Sequence, residues 1–338
     1  MLVKCSVVAA VLVMAVPVHA EPLATAVGEI ALTVSDARRS LAFFRDALGC
    51  APVTGGERIV EGAYAHLEGV EGAKLRITRC QIGDERLAFL EFRADPKARP
   101  IPVDQRSNDA GFQHVAIVVR DIDAAYARLR AHHVDPVSVA SPEKLPQWNH
   151  AAAGIRAYYF HDPDRHTLEL IWFPPGKGDP RWQRPRTAAP LFLGIDHTAI
   201  GVSDTDASLA FYRDLLGLRV AGGSENYGVE QERLSGVPGA HVRITTLRAQ
   251  SGPGIEFLQY LAPTTGRALP ADFAARDLLH WQTTIRVADP SRAFAAAATH
   301  GAQPVSTGVV DLPASLPFGT SRAALVRDRD GHALLLGE

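Results

Sequence analysis

The chain has 338 residues, 46% of them hydrophobic and 21% charged, and its formal net charge is −2. That length is too great for one ordinary core and suits two domains, and the composition is that of a folded, soluble protein. No long run of like charge is present, so there is no electrostatic case for nucleic acid or a membrane surface as partner.

The first twenty residues stand apart. MLVKCSVVAAVLVMAVPVHA has one early Lys4, an apolar run from Val7 to Val16, and a Val-His-Ala end before Glu21. This is the order of a secretory signal peptide, so residues 1–20 are expected to be cleaved and the mature protein to be exported, periplasmic or secreted. The apolar run is short for a bilayer span, so no membrane attachment is expected after cleavage. Cleavage removes one lysine and no acid, which takes the charge from −2 to −3 and leaves two cysteines, Cys50 and Cys80. An oxidising compartment permits them to pair. Cys50 follows the first helix-like segment and Cys80 ends a later strand-like run. Antiparallel pairing of those strands would bring the two Cα atoms within the roughly 7 Å that a bridge needs.

From Gly28 onward one layout occurs four times: GEIALTVSDARRSLAFFRDALG, QHVAIVVRDIDAAYARLRAHHV, DHTAIGVSDTDASLAFYRDLLG and QTTIRVADPSRAFAAAATHG. Each is a β-rich run, an aspartate and a helical pattern. The aspartates, Asp36, Asp121, Asp204 and Asp289, are 85, 83 and 85 residues apart. Each is placed to cap a helix by accepting backbone N–H groups. Leu41, Phe44 and Leu48 in the first unit and Ile122, Tyr126 and Leu129 in the second follow helical spacing. Gly49, Gly217 and Gly301 suit helix C-termini. Strand-like runs follow every helix, the second and fourth units closing with 167–173 and 333–336. The predicted unit is βαβββ, four times over. Residues 176–192, rich in Pro, Gly and charge, form the expected linker between a domain at 27–175 and a domain at 193–338.

The units DHTAIGVSDTDASLAFYRDLLGL and YYFHDPDRHTLELIWF resemble the vicinal oxygen chelate superfamily, which includes glyoxalase I, methylmalonyl-CoA epimerase, extradiol dioxygenases and antibiotic-resistance proteins. The resemblance covers essentially all of the mature chain. It implies an α+β fold in which four βαβββ units form two glyoxalase/bleomycin-resistance/dioxygenase-like domains, each a cupped sheet around a divalent cation. Ligands in that family come from the first and last strands of each unit. Carried over residue by residue, the first-strand position, seven before each capping Asp, is Glu29, His114, His197 and Gln282. The last-strand position is Glu169, Glu256 and Leu335 in the second, third and fourth units. In the first unit it is either Glu91, by distance to the following proline, or Ala88, by the 168-residue repeat.

With each half taken to build its own cup, Glu29, His114 and Glu169, with Glu91 as a further member, form the expected centre of the first half. Glu29 and Glu169 are its candidate proton carriers. Glu169 lies in the apolar run Leu168–Phe173, where an unpartnered carboxylate is costly. His197 and Glu256 are candidates in the second half, with Gln282 and His280 weaker, and Leu335 counts against a metal there. Imidazole and carboxylate suit Zn²⁺, Mn²⁺, Ni²⁺ or Fe²⁺. His161, Asp162, Asp164 and His166 read as turn-forming, and His132, His133 and His150 as solvated. The chain has no Cys-x-x-Cys, His-Glu-x-x-His, P-loop or nucleophile-elbow motif. The expected function is a metal-dependent lyase or isomerase acting on a small carbonyl compound. The alternatives are a metal-free small-molecule binder, with Trp148, Trp172, Trp281 or Tyr227 beside its pocket, and an extradiol-type dioxygenase, against which Leu335 weighs.

Overall fold

The structure, a computed structural model, describes residues 21–183, 190–313 and 319–338. The segment expected to be a signal peptide and part of the linker, residues 184–189, lie outside the described residues. Among the described residues no helix is long and apolar enough to cross a membrane.

The first unit is β1 (Ala24–Thr33), α1 (Ala37–Leu48), β2 (Ala51–Pro52), β3 (Arg58–Val60), α2 (Ala63–Leu67), β4 (Leu75–Ile82) and β5 (Glu85–Phe92). The second is β6 (Gly111–Val119), α3 (Ile122–Ala131), β7 (Asp135–Pro136), β8 (Glu143–Lys144), β9 (Arg156–His161) and β10 (Thr167–Trp172). After a short 3-10 turn, Pro180–Gln183, the third unit runs β11 (Phe192–Gly201), α4 (Thr205–Leu209), β12 (Arg219–Tyr227), α5 (Val229–Ser235), β13 (His241–Arg248) and β14 (Gly254–Ala262). The fourth is β15 (Trp281–Val287), α6 (Pro290–Thr299), β16 (Gln303–Pro304), β17 (Val310–Asp311), β18 (Arg322–Arg327) and β19 (Ala333–Gly337).

All four repeat aspartates are helix caps. Asp36, Asp121, Asp204 and Asp289 each accept two backbone N–H groups from the first turn that follows, which stabilises each helix by about 1 kcal/mol. Gly49 closes α1 with φ 68°, a left-handed conformation that glycine adopts without Cβ strain. Cys50 and Cys80 are bonded as a disulfide with Cα atoms 5.5 Å apart. The reason is the one read from the sequence: β2 lies antiparallel to β4, with Pro52 opposite Cys80.

The sheet topology corrects one expectation. The two units of each half, 1 with 2 and 3 with 4, do not share a sheet. Strands of units 1 and 4 form a ten-stranded sheet through the antiparallel β1·β15 pair, and strands of units 2 and 3 form a nine-stranded sheet through β6·β11. The two units of a half meet instead through their helices. One buried cluster joins Phe44 and Leu48 of α1 to Leu129 of α3 and to the inner faces of β5, β6 and β10. Another joins α4 and α6 through Leu209, Ala293 and Ala297. Helices therefore sit between the two sheets, and the concave faces point away from one another.

The Asp-Pro-Asp turn and its counterpart Asp328-Arg329-Asp330 lock the two sheets together. Asp162 Oδ1 accepts from the backbone N–H of Asp164 and His166, and Asp162 Oδ2 lies 2.8 Å from His166 Nδ1. The other nitrogen of His166 reaches the carbonyl of Leu278 at 2.8 Å, and His332, paired with Asp328, reaches that of Gly111 at 3.1 Å. Burial opposes a charge on either imidazole, but Asp162 and Asp328 outweigh it and hold both above the usual histidine value. A raised folded value means the native state holds more protons, so this stabilisation is complete below about pH 6.5 and is lost as pH rises through the folded values. The melting temperature should fall as pH rises above about 6.5, and the slope should shrink in a His166→Asn/His332→Asn double variant. An unchanged slope would assign the titration to other groups.

Candidate metal centre

Four adjacent strands, β14-β11-β6-β10, carry the site. The antiparallel register places His197 opposite Ala116 and His114 opposite Ala199. Parallel pairing places Glu169 beside Ala116 and Glu256 beside Ala199. Residues two apart on a strand, and residues opposite one another across a ladder, share a face. All four side chains therefore point into the same concavity, the two imidazoles from central strands and the two carboxylates from the strands that flank them.

They converge closely. His114 Nε2 lies 3.0 Å from Glu169 Oε2 and 3.2 Å from His197 Nε2. His197 Nε2 lies 3.6 Å from Glu169 Oε2 and 3.5 Å from Glu256 Oε1. Ligand atoms about 2.1 Å from a common cation sit roughly 3.0–3.5 Å apart, close to these four contacts, and Glu169 reaches the centre from the side of the two histidines. The ligand atoms of His114, His197 and Glu256 all lie within 4.8 Å of one another. Two imidazole nitrogens and two carboxylates suit Zn²⁺, Mn²⁺, Ni²⁺ or Fe²⁺.

The outer nitrogens are held by the residues just before each histidine. His197 Nδ1 pairs with Asp196 Oδ2 at 3.0 Å, and His114 Nδ1 pairs with Gln113 Oε1. Each contact fixes the ring so that Nε2 faces the centre, as metal-binding histidines require. The two supports differ in charge. Asp196 is an anion, bound also by Arg248 Nη2 at 2.7 Å and by the indole N–H of Trp182 at 2.6 Å, whereas Gln113 is neutral. Burial pushes the Asp196 carboxyl up, but His197 and Arg248 outweigh it and hold it well below the usual carboxylate range. Burial likewise disfavours an imidazolium at His197, yet Glu256, Asp196 and Glu169 raise it to about 9. The concavity thus attracts positive charge. On the carboxylate side, Glu256 Oε2 accepts a hydrogen bond from Thr246 at 2.9 Å.

A cleft of about 430 Å³ opens over this centre. Its walls include Leu145, Ile171 and Leu258, together with Glu169, His197 and Glu256. The tyrosines Tyr159 and Tyr260 also line it, and burial pushes both phenols up, so they stay neutral.

The other expected residues lie elsewhere. Glu29 is in the concavity of units 1 and 4 and forms an ion pair with Arg79 at 3.1 Å, both nearly fully buried. Burial raises its carboxyl despite Arg79. Glu91 is on the opposite face of β5, where it pairs with Arg76 at 2.9 Å and accepts from the N–H of Ala37 at the start of α1. Ala88, not Glu91, holds the ligand register, beside Ala31 on β1. Leu335 holds it on β19, beside Thr284. With no acid at either place, this concavity is filled by one continuous apolar cluster that includes Leu67, Ile77, Leu90, Leu325 and Leu335. Gln282 and His280 are there too. Gln282 donates to Glu68 at 3.1 Å, and His280 lies 3.2 Å from the Gln282 amide oxygen. Burial drives His280 down to about 3 and Glu68 up to about 7, so both favour their neutral forms.

Three expectations are thereby corrected. Neither Glu29 nor Glu91 joins His114 and Glu169, and Leu335 is no argument against His197, because it belongs to the other sheet. The sequence reading passed over Asp196, Gln113 and Trp182. The signal for the first two was a polar residue directly before each histidine of the candidate centre. Of the aromatic residues read as pocket-lining, Trp172 and Trp281 pack with the helical core, while Trp148 and Tyr227 stack on each other at 4.3 Å and are partly exposed.

The profile of the Glyoxalase/Bleomycin resistance protein/Dioxygenase superfamily matches residues 26–170 and 194–336. A 2-epi-5-epi-valiolone epimerase from Actinomyces sp is 32% identical over 168 residues, 46% of this chain and 83% of that protein. Glyoxalase I from Zea mays is 16% identical and superposes with a TM-score of 0.56 over 93% of this chain and 92% of its own, a likeness of fold.

Because both histidines serve one centre, His114→Ala and His197→Ala should each remove most bound metal, read by elemental analysis of purified protein. Glu29→Gln should leave metal content unchanged. Asp196→Asn should weaken affinity by about 10- to 100-fold in a chelator competition. Metal retained in His197→Ala and lost in Glu29→Gln would move the centre to the other sheet.

Proposed function

The chain belongs to the Glyoxalase/Bleomycin resistance protein/Dioxygenase superfamily, and from that premise we propose that it is a divalent-metal-dependent isomerase that inverts a carbon next to a carbonyl group of a small molecule. The observation that carries this is the pair of carboxylates on strands flanking the two histidines, with an open cleft above them. The epimerase relative supports the same class.

A bound cation would be held by His114, His197, Glu169 and Glu256 and would supply Lewis-acid polarisation of the substrate carbonyl. The rest is the chain's own work. Glu256 is the more accessible of the two acids and is tied at one oxygen only, to Thr246. In this reading it takes the proton from the carbon beside the carbonyl. For inversion Glu169, on the other side of the histidine pair, enters the step as the neutral acid released from the cation, gives its proton to the opposite face of that carbon and ends as the carboxylate while Glu256 ends protonated. Return from Glu256 to a neighbouring position instead gives a proton shift of the glyoxalase kind. Tyr159 and Tyr260 line the cleft as neutral phenols.

The His114–His197–Glu256 group also has the donor types of a non-haem Fe(II) dioxygenase, and Leu335 no longer opposes that alternative. Glu169 does oppose it, because it would fill a position that oxygen chemistry leaves open. Export belongs to this proposal as well. Its support is the signal-like N-terminus together with the Cys50–Cys80 disulfide, which suits an oxidising compartment. An N-terminus at Glu21 in the native protein is the expected mass-spectrometric result.

In D₂O, protein loaded with Zn²⁺, Mn²⁺ or Ni²⁺ should incorporate deuterium beside the carbonyl of a hydroxyketone. Glu256→Gln should slow this by about 100-fold or more while most metal stays bound. Oxygen uptake with Fe²⁺ and a catechol, and no exchange, would replace the isomerase with a dioxygenase.

A further inference from the structure

The wall of the cleft contributed by α5 and β12 contains an anomaly. Gln231, on α5, is almost completely buried and lines the cleft, yet its amide oxygen has no hydrogen-bond partner among the described residues. A buried acceptor left in this state is destabilising. It also has no packing need to be polar. Leu234, one helical turn on and on the same face, is buried in an apolar cluster with Leu145, Ala152 and Tyr159.

Asn226, on β12, lies on the same wall. Its amide oxygen is already used: it accepts from Asn149 Nδ2 at 2.6 Å and from the Ser224 hydroxyl at 2.9 Å. Those two donors fix the orientation of the amide, so the group Asn226 has left to offer is its Nδ2 donor. The wall therefore presents an acceptor on Gln231 and a donor on Asn226, both neutral and both buried.

We propose that Gln231 and Asn226 form a subsite that reads hydroxyl groups of the substrate, so that the molecule turned over at the metal centre is a polyhydroxylated ketone and not a simple carbonyl compound. This rests on the isomerase reading above. The chemistry selects the class. A hydroxyl donates and accepts at once, and so satisfies both amides. A carboxylate or a fully ionised phosphate has no proton to give the Gln231 oxygen. An ammonium has no lone pair for the Asn226 N–H. Of the two arginines at the cleft, Arg219 is solvent-exposed and Arg248 is paired with Asp196, so neither alters what the buried groups require. A site with buried polar groups discriminates strongly against a ligand that leaves them unpaired.

The test uses the full-length metal-loaded protein and two probes with the same ring, 2-keto-myo-inositol and cyclohexanone, with affinities measured by calorimetry. Wild-type protein should bind the hydroxylated ring at least about tenfold more tightly. Gln231→Leu should abolish that preference while metal content is unchanged, and its melting temperature should equal or exceed that of wild type, because the substitution removes an unpaired buried acceptor. Equal affinity for both probes in wild type, binding of neither, or a preference that survives in Gln231→Leu would overturn the proposal. A Gln231-dependent preference in protein that holds no metal would keep the subsite and sink the isomerase reading instead.

Discussion

The geometry of the candidate centre depends on one antiparallel seam, the pairing of β6 with β11. Its register sets His114 opposite Ala199 and His197 opposite Ala116, so the two imidazoles approach from neighbouring strands without colliding. The alanines matter as much as the histidines. A larger side chain at either would fill the space into which Glu169 and Glu256 reach from the outer strands. A slip of one residue would send the histidines to the helix side of the sheet. The sheet is thus a ruler for the centre, and the helices behind it, held by their aspartate caps, keep that ruler flat against the core.

The same seam exists a second time between β1 and β15, and there it does something else. The ligand register is occupied by Ala88 and Leu335. Without two acids to hold a cation, a hollow concavity has no use and costs packing energy. It is filled with apolar side chains, and Glu29 is balanced by a guanidinium, that of Arg79. Its remaining polar groups, Glu68, Gln282 and His280, contact one another. One copy of the repeat carries the cleft and the other carries mass. The division resembles that between a binding face and its scaffold in any duplicated fold: function needs the open polar copy, and stability is helped by the closed apolar one.

Electrostatics separate the two members of the histidine pair. Asp196 places a full negative charge behind His197, and Arg248 and Trp182 hold that carboxylate in place. Gln113 gives His114 a neutral support. Trp182 belongs to the turn that joins the second and third units, so the segment joining the two halves of the repeat also buttresses one side of the centre. A ligand backed by an anion is the more basic of the two, which makes the centre asymmetric although the strands that build it are related by a pseudo-twofold.

The sequence alone determined the repeat. The aspartate spacing, the strand-helix alternation and the cap chemistry are local, and local physics suffices to read them. It determined the family for the same reason. It also marked Glu169, because a carboxylate among Leu168, Leu170 and Ile171 demands a partner whatever the fold around it. What it could not determine was which unit faces which. Spacing places His114, His197, Glu29 and Gln282 at equivalent positions, and equivalence along a chain does not say which two meet. That choice belongs to strand pairing between residues 73 to 263 positions apart, decided by backbone hydrogen bonds and the packing of helices between the sheets. The tertiary structure therefore assigned Glu29 to Arg79 and joined His197 to Glu169. It also turned Leu335 from an objection into the filling of another cavity.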